Sequence, residues 1–155
     1  MGLFNDLFSE DLIFLDTPFR DKYDFFDKVS NILLEKGLVK PSFQKAIVER
    51  EENYPTGLRT VPFHVAIPHT DPENIIHPFI AVIRPEETVE FSEMGMGNEK
   101  VEAKMMFVLG LNRGEGQTEL LSQLIQLFNN SQVMEQLILE NDKGNFIRLL
   151  KENIE

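Results

Sequence analysis

The most constraining feature of the sequence is an uninterrupted apolar run, Met105-Met106-Phe107-Val108-Leu109. A membrane-spanning helix needs roughly 20 such residues, so this run has the length of a strand and is too short to cross a bilayer. Its apolar residues are continuous and do not alternate with polar ones, which is typical of a strand covered on both faces. The run therefore predicts a central strand within Val101–Leu111, with other elements packed above and below it.

Amphipathic helices are predicted before and after this strand. Between Lys22 and Lys36 the apolar residues fall on one helical stripe, and Gly37 follows as a C-terminal stop. A second helix begins at Pro41-Ser42 and ends before Pro55, because the residue that precedes a proline is pushed out of the helical region. Beyond Gly114, three further apolar stripes predict helices to the end of the chain: Leu120, Leu121, Leu124, Ile125 and Phe128; then Val133, Leu137 and Ile138; then Phe146, Leu149, Leu150 and Ile154.

Four more segments between the helical ends are predicted as strands: Leu12–Leu15, His64–Pro68, Pro78–Arg84 and Thr88–Phe91. Helices at both ends of the chain with strands between them indicate an α/β fold, a sandwich with a central mixed β-sheet flanked by helices. A length of 155 residues fits one domain, and no linker or low-complexity tract divides the sequence. We expect a single domain over residues 1–155.

The charge and the cysteine content exclude several classes of function. The chain has 15 Lys and Arg against 26 Asp and Glu, which gives a net charge of −11. Such a field repels nucleic-acid phosphates and anionic lipids, so we expect no nucleic acid partner, no direct membrane insertion and instead a basic protein partner. The chain has no cysteine, which excludes disulfides, thiolate metal sites and a cysteine nucleophile and fits a reducing, cytoplasmic compartment.

Three histidines are candidates for chemistry: His64, His69 and His77. A metal site is not expected, since an odd spacing on a strand points His64 and His69 to opposite faces. His69 follows the end of a small buried strand, the edge at which α/β sheets bind ligands. We expect an exposed imidazole there with the ordinary pKa of about 6.5, neutral and nucleophilic, and an ordinary surface histidine is the alternative. His77 precedes a proline and is predicted to be structural or solvated.

A second candidate segment is Arg50-Glu51-Glu52-Asn53-Tyr54-Pro55-Thr56-Gly57-Leu58. Arg50 lies near the end of a predicted helix, and the Pro-Thr-Gly turn leads from it towards the strand that precedes His69. A guanidinium offers an anion a planar fork of two charge-assisted hydrogen bonds. The alternative is a solvated arginine paired with Glu49 or Glu51.

Together the two segments resemble a known family. REENYPTGL, followed by VAIPH and a leucine-rich helical end, is similar to the enzyme IIA component of the bacterial sugar phosphotransferase system, fructose–mannitol type. This resemblance to the PTS EIIA type-2 (mannitol-IIA-like) fold runs from about Leu12 to Leu150. It implies a phosphotransferase without a cofactor or metal of its own, in which His69 is the phosphoacceptor and Arg50 stabilises the phosphoryl group.

The resemblance also implies the partners. In that family the histidine takes a phosphoryl group from the phosphocarrier HPr, whose docking face carries basic residues. The group then passes to a cysteine of the IIB component, which phosphorylates the sugar that enters through the membrane component IIC. These partners would make the chain a cytoplasmic carrier in sugar uptake.

Two positions depart from the family pattern. His64 stands where Gly or Ala is usual, and Gln117 stands where many fructose and mannitol members carry a second histidine. Gln117 and the Tyr-Pro-Thr-Gly turn are similar to the galactitol-type branch, which implies a sugar or sugar alcohol of that kind. An amide can donate a hydrogen bond to a phosphoryl oxygen, as an imidazole can, but it cannot shuttle a proton.

Two other functions stay open at this point. One is a regulatory IIA-like protein of the nitrogen-regulatory type, in which phosphorylation of His69 controls binding to another protein. The other is a non-catalytic interaction module in which His69 is incidental. The sugar-transport carrier and the regulatory protein would both take phosphate from phosphorylated HPr, whereas the interaction module would not.

Overall fold

A six-stranded mixed β-sheet forms the centre of the computed structural model, which describes residues 4–95 and 99–154. The strands are β1 (Ile13–Thr17), β2 (Gly57–Leu58), β3 (His64–Ala66), β4 (Phe79–Pro85), β5 (Val89–Ser92) and β6 (Lys100–Gly110). Neighbouring strands follow the order β1-β4-β6-β3-β2, and β5 pairs with the first part of β6. β6 is antiparallel to β4 and β5 and parallel to β3, so the sheet is mixed as predicted.

Within the described ranges, five α-helices cover the sheet: α1 (Lys22–Glu35), α2 (Phe43–Asn53), α3 (Gln117–Phe128), α4 (Ser131–Leu139) and α5 (Lys143–Asn153). Side-chain caps set several of their ends. The Asp21 carboxylate accepts a hydrogen bond from the backbone N–H of Asp24 at the start of α1. Gly37 follows the end of α1 with a φ of +74°, a conformation that glycine adopts without strain. Local sequence therefore fixes where α1 begins and ends.

The central strand β6 has buried side chains on both faces, as its apolar run predicts. Met105, Phe107 and Leu109 pack in a core with side chains of α3, α4 and α5. Met106 and Val108 belong to a second core, formed with α1 and α2 on the opposite face. Helices on both faces of one sheet confirm the predicted α/β sandwich.

Arg84 on β4 ties the end of α4 to the sheet. Its Nε and Nη2 donate to the Asp16 carboxylate at 3.3 and 3.2 Å, and Nη1 donates to the carbonyls of Leu137 and Glu140. Nη2 also donates to the Asn141 side-chain oxygen at 2.8 Å. All the polar hydrogens of this buried guanidinium therefore have protein acceptors, and its role is structural.

The sequence did not predict β2. This strand has two residues, Gly57 and Leu58, and pairs antiparallel with Ala66 and Val65 of β3. Two residues are too few to display an alternating pattern, so the pairing arises from the turn before them.

The segment that contains His69 continues the sheet beyond β3. The backbone N–H of Leu109 donates to the Pro68 carbonyl at 3.0 Å, and His69 makes a parallel bridge with Leu109. Because β3 and β6 are parallel, His69 lies at the edge where β6 ends and the chain turns towards α3. This edge carries the candidate site.

Candidate functional site

The His69 imidazole is held by its own backbone. Nδ1 lies 2.8 Å from the carbonyl oxygen of Ile67. A carbonyl only accepts hydrogen bonds, so Nδ1 carries the proton and donates it. The neutral ring then has its lone pair on Nε2, the nitrogen that is free to act as a nucleophile.

The prediction that His69 is exposed is wrong, since only 7% of its surface is accessible. The chain after His69 packs against the segment between α1 and α2, where the Lys40 N–H donates to the Asn74 carbonyl, and Thr70 and Asn74 are buried as well. Burial lowers the pKa of His69, and the charge of Arg50 lowers it further, against the opposing effects of the Ile67 hydrogen bond and of Asp71. The imidazole is neutral near pH 7 because it is buried.

Arg50 lies close enough to His69 for its charge to act on the imidazole. Its Nη1 is 3.8 Å from Oδ1 of Asp71, and its guanidinium carbon lies 4.8 Å from the centre of the Tyr54 ring. Among the described residues, Arg50 forms its ion pair with Asp71 and none with Glu49 or Glu51, the alternative partners that the sequence suggested. Its Nε is buried and has no hydrogen-bond partner among the described residues. This free donor suits an incoming anion.

Glu51 fixes the turn between α2 and β2. It is buried, and its two carboxylate oxygens accept from the backbone N–H of Thr56 at 2.7 Å and from the Thr56 hydroxyl at 2.8 Å. Burial raises the pKa of Glu51, although the two Thr56 hydrogen bonds oppose that rise. The Thr56 carbonyl in turn accepts from the N–H of Ile67. The turn and the backbone that holds His69 are thereby linked.

Asn74 fixes the loop that follows His69. Its side-chain oxygen accepts from the Ser42 hydroxyl at 2.7 Å, and its Nδ2 donates to the Thr70 hydroxyl at 3.2 Å. Ser42 immediately precedes α2, so this amide joins the loop to the helix that carries Arg50. No local sequence pattern marks Asn74, whereas Glu51 and Thr56 lie inside the Arg50–Leu58 segment and could have been predicted from it.

The other candidate residues are not joined to His69 by the described contacts. Gln117 is the first residue of α3, is half-buried and makes no hydrogen bond through its side chain in the ranges that the structure describes. His64 begins β3 and is half-buried, and His77 is exposed. In the described part of the chain no three His, Asp or Glu side chains converge as metal ligands would.

A comparison with known families identifies the family of this chain. Residues 6–153 match the family described as "Phosphoenolpyruvate-dependent sugar phosphotransferase system, EIIA 2". The chain belongs to this family. It is thus an EIIA 2 chain, as its motifs predict.

Similar proteins place the chain within the EIIA 2 family. It is 32% identical over 142 residues to a multiphosphoryl transfer protein of Shigella flexneri, covering 90% of this chain and 16% of that protein. It is 27% identical over 120 residues to the galactitol-specific EIIA component of Escherichia coli K12, covering 77% and 79%. The chain therefore spans about a sixth of the length of the first relative and most of the second.

The fold of this chain is also found in solved structures. The enzyme IIA Mtl chain in its complex with phosphorylated enzyme IIB Mtl from Escherichia coli aligns with a TM-score of 0.76 at 20% identity, covering 94% of this chain and 99% of that one. This likeness confirms the predicted EIIA type-2 fold. None of the helices in the described residues is long and apolar enough to cross a membrane.

Proposed function

We propose that this EIIA 2 chain is a phosphoryl carrier and that His69 is its phosphoacceptor. The observation that carries the proposal is the hydrogen bond from Nδ1 of His69 to the Ile67 carbonyl. It leaves the Nε2 lone pair available, on a ring that burial keeps neutral. Arg50 supplies a positive charge beside this ring and a buried Nε–H without a partner in the described chain.

Phosphoryl transfer needs little covalent help from the protein. The Nε2 lone pair of His69 forms a new bond to phosphorus while the bond from phosphorus to the donor breaks, and that electron pair leaves with the donor. The proton on Nδ1 stays in place, so no separate base is required. The ring becomes positively charged as the bond forms, and the Ile67 carbonyl stabilises that charge. Arg50 offsets the charge of the phosphoryl oxygens, which is the usual form of catalysis in this reaction.

The proposed donor is the phosphocarrier HPr and the proposed acceptor is a cysteine of a IIB component, which acts with a membrane IIC. The family match and the motif around His69 support these partners. The galactitol-specific relative supports a galactitol-like sugar alcohol as the transported substrate. Gln117, at the N-terminus of α3, would donate a hydrogen bond to the phosphoryl group in this proposal.

Phosphorylated HPr and the purified chain test the carrier function directly. We expect one acid-labile, alkali-stable phosphate on the wild type, none on His69→Gln, and normal labelling of His64→Gln and His77→Gln. The two control variants remove the other imidazoles of the chain. Since His69 is buried, circular dichroism must show that His69→Gln is folded. Label that survives in folded His69→Gln contradicts the assignment.

The proposed substrate class is tested with a panel of IIB proteins. We expect the phosphorylated chain to transfer to a galactitol-type IIB and more slowly to fructose- or mannitol-type IIB. Gln117→Ala should slow transfer less than Arg50→Ala does, since an amide carries no charge and a guanidinium can donate two charge-assisted hydrogen bonds. Transfer to none of the IIB proteins, from a chain that HPr does phosphorylate, favours the regulatory function.

A further inference from the structure

Asp71 lies two residues beyond His69, in the loop after β3. Its carboxylate forms an ion pair with Arg50, with 3.8 Å between Oδ1 and Nη1. The Asp71 side chain is 66% exposed, and the Arg50 side chain is 36% exposed. Both charges act on His69, in opposite directions. One arginine therefore acts on the imidazole and is paired with a neighbouring carboxylate.

We propose that Asp71 competes with the phosphoryl group on His69 for the guanidinium of Arg50, and thereby favours release of the phosphoryl group to the next acceptor. The inference rests on the proposed carrier function. Before phosphorylation the ion pair with Asp71 and the Tyr54 ring keep Arg50 at the site. After phosphorylation two anions share one cation, and the like charges of carboxylate and phosphoryl group repel each other.

The chemistry of a carrier explains why such competition is useful. The N–P bond on His69 must form from one partner and break towards another, so a phosphoryl group held too tightly would not be passed on. The positive charge of Arg50 stabilises the phosphorylated state. Asp71 offsets part of that stabilisation without touching the bond that breaks.

Among the described residues, the ion pair with Arg50 is the one polar contact of the Asp71 carboxylate. The backbone carbonyl of Asp71 accepts from the N–H and from Nδ2 of Asn74. Its side chain makes no capping hydrogen bond to the 3-10 turn that follows, Pro72–Asn74. Asp71→Asn therefore removes the charge while the backbone contacts of the loop are kept.

Glu73 provides a matched control. It lies in the same turn, is exposed, and its carboxylate has no ion pair among the described residues. Glu73→Gln also removes one negative charge from this loop, so it changes the net charge of the chain by the same amount. An effect specific to Asp71 must be absent in Glu73→Gln.

The experiment measures the equilibrium constant for exchange of phosphate between phosphorylated HPr and the chain, by ³¹P NMR or radiolabel. We expect Asp71→Asn to shift the equilibrium towards the phosphorylated chain by about two- to fivefold, the range of a partly exposed ion pair. Glu73→Gln should leave the constant unchanged. In an Arg50→Ala background, the effect of Asp71→Asn should shrink, because the shared cation is gone.

Three results would overturn the inference: an equilibrium that Asp71→Asn does not change, equal shifts in Asp71→Asn and Glu73→Gln, or a full Asp71→Asn effect in the Arg50→Ala background. A wild-type chain that takes no phosphate from HPr contradicts the proposed function itself. The two failures are therefore distinguished by whether the wild type is labelled.

Discussion

At the scale of single residues, the environment of His69 determines the pH range in which the proposed phosphoacceptor is neutral. Burial lowers the pKa of the imidazole, and Nδ1 is already committed to the Ile67 carbonyl. The nucleophile on Nε2 is lost only when the ring takes up a second proton. The site should consequently stay active at pH values where an exposed histidine would be partly protonated.

We expect the rate of phosphoryl transfer to His69 to be constant from pH 8 to the ordinary histidine pKa of about 6.5 and to fall only below it. Titration of the His69 ring protons by NMR should give a midpoint below that value. The free energy of unfolding should also fall with pH in this range. Below about pH 6.5 the unfolded chain binds a proton at this histidine that the folded chain does not yet bind, so the folded state loses stability. A midpoint at or above 6.5 in the folded chain would contradict this prediction.

Arg50 is expected to matter through the shape of its donor group as well as through its charge. Arg50→Ala should slow transfer by about 10- to 100-fold, because a hydrogen bond to a charged group contributes about 1.5–3 kcal/mol. Arg50→Lys should recover only part of the rate, since an ammonium cannot make the forked contact of a planar guanidinium. Single-turnover kinetics with phosphorylated HPr measure both effects.

Arg59→Ala serves as the control for the arginine prediction. Arg59 is also partly exposed, but its ion pairs are with Glu93 and Glu99. Its removal should leave the transfer rate unchanged. Equal rates for wild type and Arg50→Ala would remove Arg50 from the mechanism.

At the scale of elements, the turn from α2 to β2 depends on one buried carboxylate. Glu51→Ala would leave the backbone N–H and hydroxyl of Thr56 without acceptors in a buried place. An unsatisfied buried donor costs about 1–3 kcal/mol, so we expect Glu51→Ala to lower the free energy of unfolding by about that amount or more. Glu51→Gln should cost less, because its amide can accept from the Thr56 N–H and donate to the Thr56 hydroxyl.

Urea unfolding at several pH values checks the Glu51 prediction. The raised pKa of Glu51 means that the folded chain binds its proton more tightly than the unfolded chain does. The stability that this proton contributes is fully present below the ordinary pKa of glutamate and is lost as pH rises through the raised value. Glu51→Gln should not show this part of the pH dependence. If the free energy of unfolding depends on pH in the same way in wild type and Glu51→Gln, the raised pKa of Glu51 is contradicted.

The elements that sequence predicted are those whose information is local. The stripe of α1 with its cap Asp21 and stop Gly37, and the apolar run of β6, each carry their pattern within one segment. β2 has no pattern of its own, and the exposure of His69 depends on how the loop up to Asn74 folds back. The motif located His69 and Arg50, but the partners of Arg50 arise from tertiary contacts that spacing alone does not specify.

At the scale of the whole molecule, the charge of the chain bears on its encounters. Acidic residues outnumber basic ones by 26 to 15, which leaves a net charge of −11. A negative protein attracts a partner with a basic face over the Debye length, which is about 30 Å at 0.01 M salt and about 8 Å at 0.15 M. The resemblance implies such a face on HPr, the proposed donor, and the field would then act before the two proteins touch.

We expect the association rate with phosphorylated HPr to fall by about one order of magnitude between low and physiological salt, because electrostatic steering of this kind raises association rates by roughly 10- to 1,000-fold. The dissociation rate should change less, since apolar contacts near the centre of an interface are not screened by ions. Stopped-flow measurements over a salt series separate the two rates. Asp71→Asn and Glu73→Gln each remove one charge of the same loop, so both should lower the association rate slightly and to the same extent, whatever they do to the phosphoryl equilibrium. An association rate that is independent of salt would mean that the acidity of this chain does not guide HPr to His69.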